Sequence, residues 1–308
     1  MTYSTKIYLL LDIINAMKRQ EKSGYRTRSE LYNNRSIDNT IEIRRLMVLW
    51  CKQLTDLCKF NHQTMAIAIN ILDRFVAKEP AILLNRDKNN AAHHHCRDFR
   101  LAAVSSLYTS IKAHEISAID PKTMSKLSQD VFSSKEIEEM ESRILTKLGW
   151  RVNTPTAMAF AEIYLQMILI PTDDKTKTII KKLIQCQIEY AMEDCRFLGI
   201  DASEIAFIAI YNALMATFGH ASYLGNLQQD IDVNSSSFYL ENILMDHMQR
   251  SESATIFSLK ITTTEPTKKK QRFEQKSPSS FTRHHLSPRS SITIPQQFLK
   301  AENSSCKI

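Results

Sequence analysis

Apolar residues recur at three- and four-residue intervals along most of the first 220 positions, the spacing that gathers them on one side of an α-helix. In residues 6–20, Leu9, Leu10, Ile13, Ile14 and Met17 form such a stripe, closed by Lys18, Arg19 and Glu21. Residues 22–40 are polar and aperiodic, so this amphipathic helix is tethered to the downstream chain and must dock on something. A second stripe, Ile43, Leu46, Met47, Trp50, Leu54 and Leu57, opens a block of closely spaced helices. Asn61 predicts the N-cap of the next helix, whose apolar members are Met65, Ile67, Ile69, Leu72 and Phe75. Residues 101–111 then carry no charge and many small side chains, as a helix buried on every side requires. This is the predicted centre of a bundle.

Start and stop signals divide the remainder. Asp120 before Pro121 predicts an N-cap with proline in the first helical position, Ser133 with Glu136 predicts a capping box, and Gly149 ends the helix begun there. Thr154 with Pro155 begins a second block, in which residues 157–170, 178–192 and 201–218 read as helices. An Asp201/Glu204 capping pair opens the last of these, and it too is uncharged from Ile205 to Phe218. The expected fold is all-α. It comprises an N-terminal helix and linker over residues 1–40, a five-helix block over 41–153, a more divergent helical block over 154–250, and a disordered basic Ser/Thr/Pro-rich tail over 251–308.

Composition narrows the function. Five glycines and eight prolines in 308 residues leave little turn chemistry for a strand-rich fold, while 43% hydrophobic and 24% charged residues suit a soluble globular protein. Six widely spaced cysteines without a CxxC pair argue against a disulfide framework or a zinc site, and no apolar stretch approaches the length of a membrane span, so an intracellular protein is expected. The formal charge of +7 sits mostly in the tail, where ten Lys/Arg face four Asp/Glu; only +1 remains for residues 1–250. A folded nucleic-acid-binding face is therefore not expected. No P-loop, Gly-rich phosphate loop or HExxH occurs, which leaves no catalytic, metal or cofactor site to assign.

Four stretches together resemble the cyclin box. IRRLMVLW at 43–50 resembles the start of its first helix, commonly written MRxILxxW, and NILDRF at 70–75 resembles the second helix. Ser110, Ile111 and Lys112 followed by Glu115 resemble the end of the central helix, and EEMESRILTKLGWRVNTPT at 138–156 resembles the fifth helix and its exit. The resemblance implies a cyclin: a non-catalytic, nuclear and cytoplasmic subunit that binds and activates a cyclin-dependent protein kinase. It assigns kinase contacts to Lys112 and Glu141, and a buried structural ion pair to Arg44 and Asp73. It also implies an apolar patch of Ile43, Leu46, Met47 and Trp50 for Arg-x-Leu substrate peptides, although Leu49 and Gln53 stand where the family usually has acidic residues. Paired cyclin-type domains that hold DNA and polymerase, as in transcription-factor-IIB-like proteins, are the competing class. So is a cyclin-fold scaffold without kinase activation.

Further motifs lie outside this pattern. His93, His94 and His95 beside Cys96 fall in a connection longer than the family's usual one and read as a solvated insertion. KKKQR at 268–272 resembles a nuclear-import signal, and Ser277 and Ser287, each before proline, are minimal phosphorylation sites. Arg28 with Leu31 fits a minimal degradation signal, and Asn34 heads a sequon.

Overall fold

Each apolar stripe must be covered by another element, and the computed structural model shows how the chain does so. It describes residues 3–25, 38–83, 91–168, 170–224 and 237–250. Among these are ten α-helices and no strand. They are α1 (Tyr3–Gln20), α2 (Asp38–Cys58), α3 (His62–Lys78), α4 (Ala91–His114), α5 (Pro121–Leu127), α6 (Ser134–Leu148), α7 (Ala157–Met167), α8 (Asp174–Glu193), α9 (Ala202–Phe218) and α10 (Ser237–Arg250). The expected tail, its import and phosphorylation motifs, Arg28, Leu31 and Asn34 lie outside the described residues.

The caps fall where their chemistry predicts. The Asn61 side chain accepts a hydrogen bond from the Gln63 amide, that of Asp120 from the Thr123 amide, and Ser133 forms a reciprocal capping box with Glu136. Each satisfies amide groups that a helix start leaves without partners. Gly149 ends α6 at φ 58°, a left-handed conformation that costs glycine nothing. The helix expected from residue 157 starts there and is capped by Thr156, whose hydroxyl accepts from the Ala159 amide at 3.1 Å. The residue before a proline is driven toward extended backbone, so the turn waits until Pro155 has passed.

Two hydrophobic cores result. The first gathers Met47, Trp50, Leu72, Phe75, Leu107 and Ile144, among others, around the small-residue side of α4. Two hydroxyls inside it are satisfied by backbone: Ser110 donates to the Thr64 carbonyl at 2.7 Å and Thr109 to that of Ser105 at 2.8 Å. The helix is longer than its uncharged stretch, since the backbone is already helical at Ala91. His93–Cys96 therefore ride on its first turns rather than in a solvated loop, a change favoured by the alanines that precede them. The second core surrounds α9, whose Ala206, Ile210 and Ala213 pack with Phe160, Tyr164 and Leu183 of α7 and α8.

Helix α1 finds its dock on the second block, where Leu10 and Ile14 are buried and α1 packs along α7. At its end, residues 21–25 make one π-helical turn. From there Glu21 reaches α9: its carboxylate accepts from the Ser203 amide at 3.2 Å and hydroxyl at 2.9 Å. Asp201 occupies the expected N-cap position of α9 but makes no side-chain capping bond. The cap comes from Glu21 instead.

Candidate functional site

The carboxyl end of α4 and the middle of α6 meet at two charged side chains. Lys112 is the first charge after the apolar run of α4, because the helix there leaves the core. Glu141 lies on α6 beside the buried Ile137, Met140 and Ile144. The Lys112 ammonium sits 3.1 Å and 3.3 Å from the two Glu141 carboxylate oxygens. The Lys112 side chain is 54% exposed while that of Glu141 is 9% exposed. Glu141 is thus held and oriented from one side, and a lysine with three donors keeps its solvent-facing part available to a partner.

Charge sets the character of this pair. The Glu141 hydrogen bond holds the Lys112 ammonium above the usual lysine range, against a smaller opposing effect of burial. The same ammonium lies 5.5 Å from the centre of the Tyr108 ring. Burial raises the Tyr108 hydroxyl, which therefore stays neutral beside the cation. Glu115, one turn further on, accepts from the Asn61 amide at 2.8 Å and the Thr64 hydroxyl at 2.5 Å. That clasp fixes the end of α4 against the start of α3, and with it the position of Lys112.

Trp150 lies just beyond the end of α6. It comes directly after Gly149, has φ 62°, and is 73% exposed. A large aromatic held in the left-handed region and presented to solvent is an anomaly for packing. Helical spacing aligns Glu138, Glu141 and Leu145 along one side of α6. The sequence motif contained Trp150, but its exposure could have been found only from the helix stop just before it.

Arg44 and Asp73 meet in the interior, each side chain at most 4% exposed. Arg44 Nε donates to Asp73 Oδ1 at 2.8 Å and Nη2 to Oδ2 at 2.7 Å, a two-pronged pair between α2 and α3. Nη1 donates to the Met192 carbonyl at 2.8 Å, near the end of α8. The pair therefore also ties the two blocks together. A second tie runs from Lys52 on α2 to the buried carboxylate of Glu189 on α8.

The expected peptide-docking patch divides differently. Met47 and Trp50 are fully buried in the first core, and Ile43 and Leu46 are half-buried. The stripe is largely a core-facing one, and these four residues do not form an exposed apolar surface. Periodicity reports which residues share a side of a helix; it is silent on what covers that side.

Residues 12–153 match the family model "Cyclin, N-terminal domain". Residues 12–153 thus carry a cyclin N-terminal domain. The match to the cyclin domain begins inside α1 and ends just before the entry to α7, so it takes in Glu21 as well as Lys112, Glu141 and Trp150. Among curated proteins, the chain is 28% identical over 163 residues to G2/mitotic-specific cyclin-A of Spisula solidissima, covering 53% of this chain and 33% of that protein. It is 27% identical over 205 residues to G2/mitotic-specific cyclin-B of Emericella nidulans, covering 62% and 37% respectively. Cyclin-D3-1 of Oryza sativa subsp. japonica is 24% identical over 228 residues, covering 71% and 62%. The matched part thus spans about a third of the length of the first two relatives. The crystal structure of a viral cyclin from herpesvirus saimiri superposes with a TM-score of 0.52 at 13% identity, over 68% of this chain and 86% of that one, which shows the shared fold.

Proposed function

We propose that this chain is a cyclin, a non-catalytic regulatory subunit that binds and activates a cyclin-dependent Ser/Thr protein kinase and so acts in cell-cycle control. The observation that carries the reading is the Lys112–Glu141 pair at the end of α4, a half-exposed ammonium held by a nearly buried carboxylate. A kinase becomes active when its αC helix sits inward, so that the glutamate of that helix meets the phosphate-binding lysine. A surface that binds the inward arrangement more tightly than the outward one shifts the population toward it, by no more than the difference in its two affinities. Lys112 and Glu141 are suited to hold polar backbone groups of such a helix by charge-assisted hydrogen bonds, with Trp150 supplying apolar contact. Its place in the nucleus and cytoplasm goes with this role.

The test exchanges the two charges. Lys112→Glu with Glu141→Lys re-forms the ion pair in reverse, so the protein should keep its helical circular dichroism while losing at least tenfold in affinity for the kinase that co-purifies with the wild type. Retention of kinase affinity and activation by the folded exchange variant would refute the reading. Binding to DNA in place of a kinase, weakening steeply with salt, would favour the transcription-factor-like class instead.

A further inference from the structure

A groove of about 600 Å³ opens between α7 and α8, with the first residues of α3 at one end. Its size is that of a site for a ligand or a short peptide. Ala161 and Leu165 of α7 and Ile180 and Ile184 of α8 line it, with Ile168 and Ile170 at the end where the two helices connect. Ala161, Ile180 and Ile184 form its floor and belong to the second core, so the apolar surface the groove offers comes from Met158, Leu165 and Ile170, each partly buried. Gln63, Gln166 and Gln185 stand around this apolar lining, and side-chain amides can donate to and accept from the backbone of an extended segment.

Charge then selects the occupant. Lys177 and Lys181 line the groove from α8 four residues apart, hence on one side of the helix. Lys177 is half-exposed and touches only the fully exposed Asp174 at 3.4 Å, an ion pair worth little in water. Lys181 is exposed and makes no ion pair among the described residues. Glu162 is the one acidic side chain lining the groove. The lining therefore asks for apolar side chains, and its margin for negative charge.

We infer that this groove is a docking site for short peptide segments that combine apolar residues with one or two carboxylates. Its polarity is opposite to that of an Arg-x-Leu segment. The groove also opens where Asn61 and Gln63 start α3, next to the Glu115 clasp that anchors the end of α4. The inference stands on the groove alone and does not require that the chain activate a kinase.

The experiment is a selection of random heptapeptides displayed on phage against the intact chain, followed by fluorescence polarisation with the most enriched peptide. The expected consensus holds at least one Asp or Glu beside two apolar residues. Lys177→Glu with Lys181→Glu should weaken that peptide at least tenfold. The same charge change at Lys122 and Lys126 on α5, exposed and outside the groove, should leave it within twofold. Enriched peptides without a carboxylate, or equal loss from both double variants, would overturn the inference. So would a dimer in sedimentation that the groove variant alone dissociates, because the occupant would then be a second copy. Kinase co-purification measured on the same variants keeps the two readings apart: a groove variant that loses the peptide and keeps the kinase fails neither.

Discussion

Arg44 grips Asp73 with two parallel hydrogen bonds and gives its remaining Nη1 donor to the Met192 carbonyl, so one buried guanidinium joins three helices from both blocks. Breaking such a pair leaves an unbalanced charge in the interior, a loss of about 3–5 kcal/mol. Asp73→Ala should therefore lower the stability of the chain by that order in urea unfolding. Arg44→Met should cost less when combined with Asp73→Leu than alone, since the double variant leaves no orphan charge. A double-mutant cycle measures the difference.

Trp150 offers a variant in which fold and function move in opposite directions. Its φ of 62° strains any residue with a β-carbon, and its side chain is mostly in solvent. Trp150→Gly should raise thermal stability, by up to about 1 kcal/mol. Under the proposed role it should weaken kinase binding at the same time. Equal affinity of the glycine variant would remove Trp150 from the interface.

The capping box of α6 predicts an acid-sensitive contribution. The Ser133 amide, Arg97 and the Ser133 hydroxyl hold the Glu136 carboxyl down to about 2, from an ordinary value of 4.5. A depressed carboxyl stabilises the folded state above its unfolded value, and that stability is lost as pH falls from 4.5 through about 2. Glu136→Gln should be less stable than wild type at pH 7, by about 1 kcal/mol, and the gap should close at the acid end. Melting curves at pH 7 and pH 3 test both the sign and the window.

Glu21 predicts the reverse. Burial, with Asp201 nearby, raises its carboxyl despite the hydrogen bonds from Ser203. A raised carboxyl contributes stability that is fully present below its unfolded value of 4.5 and is lost as pH rises through the higher folded value. The wild type should accordingly gain on Glu21→Gln as pH is lowered from 7 toward 5, the opposite trend from Glu136. Glu21→Ala, which leaves the start of α9 uncapped, should cost about 1 kcal/mol at either pH.

Local chemistry was legible in the sequence wherever cause and effect lie within a few residues. Asn61, Asp120 and Ser133 could be named as caps because their partners are two or three positions away. The stripes of α2 and α3 could be drawn for the same reason. The third bond of Arg44 spans 148 residues and the Glu21 cap 182, and no spacing rule reaches that far. Trp50 shows the limit from another side: its place in a stripe was evident, but its full burial depends on neighbours that only the fold brings together. The groove of α7 and α8 is likewise a property of how two helices diverge, and no motif in the sequence marks the lysines beside it.

The Glu21 cap also sets an order of events on the ribosome. Its partner Ser203 is made 182 residues later. At about 5–20 residues per second, roughly 10–40 seconds pass before α9 exists for Glu21 to cap. Through that interval the first helix has been synthesised with its apolar stripe uncovered, ready for any chaperone that recognises one. The α1 segment is thus made before either block and is among the last parts to be fastened.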